Sequence, residues 1–205
     1  MILSIKEAKN IFKENFIGPE ELIGLSNFIK LNIPSKIPVI DFNITNLNVK
    51  DYILILGIEK LKDGTKINLQ SLISIFGYSK NSIHPNFYNQ DWYHQEKFIK
   101  MGMSSKWYLI KKNVIDSSRG DIPSAEIEDR LPSATLTAFV FYMFWFKTNK
   151  ILWENDFIWC SDRDSEGDRI YVGKYKEKTN PLRSGFSIHR HLSLRNIYGS
   201  IEVFK

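Results

Sequence analysis

The sequence predicts an α+β fold with a central apolar helix and a β-rich C-terminal third, on three observations. Apolar residues recur at helical spacing within the first thirty positions. The stretch 136–146 is apolar nearly all round a would-be helix, so it belongs at the centre of the fold. After residue 156 the apolar runs become short, rich in aromatic and β-branched residues, and separated by turn residues. At 205 residues, with no repeat and no linker-like tract, the chain reads as one compact domain, 1–205. Its parts are a helical 1–50, a mixed α/β 51–130 and a C-terminal 131–205.

Ile5, Ala8, Ile11 and Phe12 carry the i, i+3, i+4 spacing of an amphipathic helix over 5–16. Gly18 ends it, and Pro19 suits the first turn of a second helix reaching Lys30. Glu20 and Glu21 then sit where the helix dipole favours negative charge, and Leu22, Leu25, Phe28 and Ile29 form the buried face. Pro34 and Pro38 keep 33–42 extended. The run 52–58 reads as a strand buried on both faces, and Asp63-Gly64 as a tight turn. A short helix over 68–76 turns Leu69, Leu72, Ile73 and Phe76 inward.

Residues 78–102 form a long polar and aromatic loop around Trp92 and Tyr93, and 106–115 a strand. Gly120 and Pro123 break 117–130 into loop. Either Ser133 as N-cap or Pro132 as first helical residue opens the apolar helix, which ends near Lys147. Strands at 157–161 and 169–173 flank the acidic turn 162–168, and a last pair at 185–191 and 197–204 completes the chain.

Composition narrows the function classes. The net charge of +5 is spread along the chain, which permits nucleic-acid contact without demanding it. One cysteine, Cys160, allows no internal disulfide and no multi-thiolate zinc site, so a reducing compartment is expected. Lys6 and Glu7 interrupt the N-terminus too early for a signal peptide, and 136–146 is too short to cross a bilayer. The expected location is cytoplasmic, with no membrane partner.

Oxygen side chains alternate at Asp162, Asp164, Glu166 and Asp168, with Gly167 between the last two, as in loops that wrap calcium. The twelfth position, a bidentate carboxylate in such loops, is Gly173 here, and the plainer expectation is a hairpin turn. No other cofactor is expected. His189 and His191, two apart on a strand, share a face and with a carboxylate could hold a transition metal. The alternative is a polar strand face of Ser187, His189, His191 and Ser193. Glu154, Asp156, the 162–168 carboxylates and Lys174 supply the residue types of a magnesium nuclease, but at no diagnostic spacing. There is no Gly-rich phosphate loop and no nucleophile elbow. Cys160 lies within an apolar strand with no neighbouring base, so a buried thiol is expected and no catalytic residue is assigned.

Leu131-Pro132-Ser133-Ala134, the apolar helix and the stretch from Trp159 through Cys160, Ser161 and the acidic turn to Gly173 resemble the C-terminal region of uncharacterised bacterial proteins with a C-type-lectin-like fold. Formylglycine-generating-enzyme-like proteins and the variable proteins diversified by retroelements share that fold. The segments 16–22 and 106–110 are similar to such proteins too, while the insertion 174–183 departs from the pattern. The resemblance implies a C-type-lectin-like scaffold that displays side chains to a partner, most simply a protein. The matching display positions are Ser187, His189, Arg190, His191, Ser193, Arg195 and Tyr198. It implies neither oxidase chemistry, since the paired cysteines are absent, nor sugar binding, since Trp153-Glu154-Asn155-Asp156 matches the lectin motif only loosely. The function expected is a non-catalytic, protein-binding module. The alternative is a nucleic-acid-associated protein, a binder or metal-dependent nuclease, with Arg183, Arg190 and Arg195 gathered on one face.

Overall fold

A computed structural model of the chain describes residues 2–78, 85–176, 184–190 and 195–204. It has mixed α+β architecture, with four α-helices and three sheets among those residues. Strands β1 (Ile2–Leu3) and β3 (Ile40–Asp41) pair antiparallel and clip the two ends of the first forty residues together. The first four-stranded sheet runs β10 (Val203–Phe204), β5 (Trp107–Lys111), β4 (Tyr52–Leu56), β2 (Phe16–Ile17). The second runs β8 (Ser187–His189), β7 (Arg169–Gly173), β6 (Phe157–Arg163), β9 (Tyr198–Gly199).

Helix α1 (Ile5–Phe12) is held at its start by a capping box: Ser4 Oγ accepts from the Glu7 amide, and Glu7 accepts from the Ser4 amide. The helix stops four residues sooner than its periodicity suggests. A 3-10 turn, Lys13–Asn15, leads into β2, because Phe16 and Ile17 find more burial paired with Leu54 and Ile55 than at a helix end. Strand β4 is buried at every position, as its unbroken apolar run requires of a central strand flanked by β2 and β5. Helix α3 (Leu69–Phe76) is opened by Asn68, whose side chain accepts from the Ser71 amide, and buries Leu69, Leu72, Ile73 and Phe76.

Helix α4 (Ala134–Thr148) resolves the register left open by sequence. Ser133 is the N-cap, its Oγ accepting from the Leu136 amide, and Asn149 closes the helix in the left-handed conformation. Every residue from Ala134 to Phe144 is buried, and the helix packs on α3, β6 and β7. At its far end Lys147 Nζ donates to the carbonyls of Glu14 and Phe16, tying α4 to the N-terminal turn. One cluster of buried side chains takes in α4 and residues of both four-stranded sheets. No helix among the described residues is long and apolar enough to cross a membrane.

The C-terminal pair of strands is corrected. β8 pairs with β7, whereas 197–204 divides between sheets, β9 lying parallel to β6 and β10 antiparallel to β5. Gly199 permits this crossing, because a Cβ there would collide with the Val114 side chain. The segment therefore stitches the two sheets together.

Candidate binding surface

The acidic turn between β6 and β7 directs its carboxylates to separate protein partners. Asp162 is buried and accepts from the amide of Ala134 at 2.6 Å, so it satisfies the first N–H of α4, which has no acceptor within the helix. Asp164 Oδ1 accepts from the amides of Glu166 and Asp168, at 2.9 and 2.8 Å, and Oδ2 from Arg190 Nη1 at 2.7 Å. Burial alone would raise the Asp164 carboxyl, but the Arg190 guanidinium and the turn amides outweigh it and hold it below the usual range. Glu96 closes the node from the long loop, accepting from Ser165 N and Oγ, and Arg190 stacks over the Trp92 ring at 4.7 Å. The carboxylates read as alternating calcium ligands thus diverge, and Glu166 stands exposed. No group of three or more metal-capable side chains occurs among the described residues.

The display positions separate just as widely. Cross-strand register aligns Trp159, Tyr171 and His189 in one row and Tyr198, Phe157, Gly173 and Ser187 in the next. Strand alternation does put Ser187 and His189 on one face, but that face carries an aromatic cluster. Phe157 stacks on Tyr198 with ring centroids 5.2 Å apart, and His189 meets Phe157 edge-on at 5.2 Å. Segment 125–131 closes over the cluster through Ile127 and Leu131, and Glu128 reaches the nearly buried Arg169 at 3.0 Å.

Ser187 and Tyr198 are consequently buried, not displayed. His189 is half-buried, its Nδ1 accepting from Gln90 Nε2 at 3.1 Å. Burial, with Lys174 nearby, lowers its pKa to about 4, so the ring is neutral at neutral pH. Arg190 is engaged by Asp164 and Glu96, while Arg195 is exposed. His191 and Ser193 lie outside the described residues, as does Arg183. Cys160 points to the other side of the sheet, fully buried against Thr137 of α4, and burial pushes its thiol well above the ordinary value.

Open apolar surface lies elsewhere, beside helix α2 (Pro19–Gly24). The expected helix to Lys30 ends early because Gly24, Ser26 and Asn27 are weak helix formers, and single turns carry the chain from Leu25 to Ile29. Leu22, Leu25 and Ile29 face inward as expected. Phe28 does not: it is 37% exposed, lying flat on Phe146 of α4 at a centroid distance of 4.1 Å. The chain then runs along the turn made by 61–65, where Lys62 N donates to Lys30 O at 2.8 Å and Leu31 bridges to Leu61.

Two adjoining clefts result. One, of about 570 Å³, lies among Phe28, Ile29, Lys30, Leu61, Lys62, Asp63 and Ile75. The other, of about 300 Å³, lies among Leu22, Ile23, Ile29, Leu31, Ile33 and Lys62, with polar Ser26 and Asn32 at its side. Ile29 and Lys62 belong to both, and Ile23 is 59% exposed at the edge. Sequence reasoning missed this surface because it assigned 19–30 to a single helix with one buried face; Gly24, Ser26 and Asn27 together were the signal against that. Comparison of the chain with protein-family models, curated proteins and solved structures finds no match.

Proposed function

We propose that this chain is a non-catalytic binding domain for a protein partner, built on a C-type-lectin-like scaffold, with the twin clefts beside α2 as its contact surface. The observation that carries the reading is the pair of adjoining, aliphatic-walled clefts with Ile23 and Phe28 exposed at their margins. Contiguous apolar surface rimmed by polar residues is what protein-binding sites leave open in the free molecule.

The scaffold reading is supported by the meeting of its two motifs. Ser161 N donates to Pro132 O at 2.9 Å and Asp162 caps Ala134, so the Leu131–Ala134 and Trp159–Gly173 stretches share one joint. The non-catalytic reading is supported by how the reactive groups are used. Cys160 is sealed in the core with its thiol protonated, and Asp162 and Asp164 are spent on amides and a guanidinium. Against the nucleic-acid alternative, Phe28 is the one ring among the described residues of the cleft walls, where single strands would need aromatic platforms.

The test is site-specific photo-crosslinking in cells, with the reactive residue at Ile23 or, as a control on an exposed loop that does not line the clefts, at Ile122. Discrete protein adducts from position 23 alone are expected. Equal adducts from both positions, or salt-sensitive binding of mixed RNA and DNA by the purified chain, would overturn the reading.

A further inference from the structure

Resting on the protein-binding reading, we infer that the partner segment is acidic: a stretch carrying at least two large apolar anchors with carboxylates beside them. The two clefts share the Ile29 and Lys62 walls, so side chains of one segment reach both. Each is apolar enough to take an anchor, and both have volumes usual for ligand sites.

The charge at the rim selects the flanks. Lys30 and Lys62 line the clefts, and among the described residues neither has an ion-pair partner. Lys60 and Lys66, bridged to each other across the same turn, are exposed beside them. Opposing these four lysines are Glu59, which pairs with Lys60 at 3.7 Å, and Asp63. The Asp63 carboxylate accepts from the Thr65 amide at 2.9 Å and so shapes its own turn. The surplus is positive, and Lys30 and Lys62, which line the clefts, hold no ion-pair partner among the described residues. An aliphatic floor between lysines fits an acidic amphipathic peptide, while a nucleic-acid backbone would meet the charge but leave the floor unfilled.

The experiment is selection of random short peptides displayed on phage against the immobilised full-length chain. Binders rich in Leu, Ile or Phe with net negative charge are expected. Affinity of a selected synthetic peptide should fall about tenfold or more on the Lys30→Glu/Lys62→Glu double variant, and fall with added salt. A copy of that peptide with its acids changed to lysine should bind the double variant better than the parent chain. Both lysines are exposed, so the double variant folds. Neutral or basic binders that still require Ile23 would overturn the acidic inference and leave the protein-binding reading standing. Selection of no binder that depends on the clefts would overturn the acidic inference, and crosslinking at Ile23 reads the fate of the protein-binding proposal independently.

Discussion

In the C-terminal sheet, Ser187, His189, Arg190 and Tyr198 have polar atoms of the kind that read as a contact surface, yet Ser187 is buried, His189 and Tyr198 are turned onto aromatic rings and Arg190 onto an ion pair. Beside α2, Phe28 reads as core, yet it and Ile23 stand partly in solvent around two open clefts. The difference lies in what covers each region. Segment 125–131 and the long loop bearing Gln90, Trp92 and Glu96 pack over the sheet, so its polar residues must find internal partners. Where the chain leaves its helical path at Gly24, Leu25 and Ile29 turn inward while Ile23 and Phe28 keep part of their surface in solvent. Polarity in the sequence therefore located the scaffold's internal joints, and aliphatic residues located the accessible surface.

The sharpest way to break this contrast is at Asp164. Its side chain has no exposed area and accepts hydrogen bonds from the Glu166 and Asp168 amides and from the Arg190 guanidinium. Asp164→Ala should cost about 3–5 kcal/mol, because Arg190 and two turn amides lose their acceptor together. Urea unfolding measures it. Added calcium should leave the parent chain's midpoint unchanged; a rise that Asp164→Ala abolishes would return the turn to the status of a metal loop.

His189 supplies the next largest effect, through pH. Its folded pKa of about 4 lies below the ordinary 6.5, so between those values the unfolded chain takes up a proton that the folded chain refuses. Stability from this source is fully present above pH 6.5 and is lost as pH falls to about 4, by about 3 kcal/mol in total. In His189→Gln that slope should be absent, leaving only the loss at lower pH as carboxylates such as Asp164 are protonated. An unchanged slope would mean that the ring is solvated and the face open.

How far these regions were legible follows from the range of the interactions involved. α3 and β4 were readable because periodicity and neighbouring turn residues decide them locally. The burial of Cys160 and the span of α4 followed from apolar context alone. The orientation of Ser187, His189 and Tyr198 was not readable: alternation fixes which residues share a face, but a segment sixty positions earlier decides whether that face is covered. Likewise Asp162 reads as a surface acid until its partner, the Ala134 amide, comes into contact through the fold. The division of 197–204 between two sheets depends on a close approach of Gly199 to Val114 that no local pattern encodes.

The smallest expected stability effect carries the most functional weight. Ile23 is 59% exposed near the end of α2, so Ile23→Ser should change unfolding free energy by less than about 0.5 kcal/mol. At a docking surface the same substitution removes an anchor's contact area, worth about 1.5 kcal/mol, and should weaken a cleft-binding peptide about tenfold. Asp164→Asn serves as the counterpart, since it weakens the joint behind the aromatic face while leaving the clefts untouched. It should lower stability without changing peptide affinity at temperatures where the chain stays folded. Calorimetric titration reads the affinity of each variant, and urea unfolding reads its stability separately. If Ile23→Ser destabilised the chain as much as Asp164→Asn and left binding intact, the assignments of scaffold and surface would have to be exchanged.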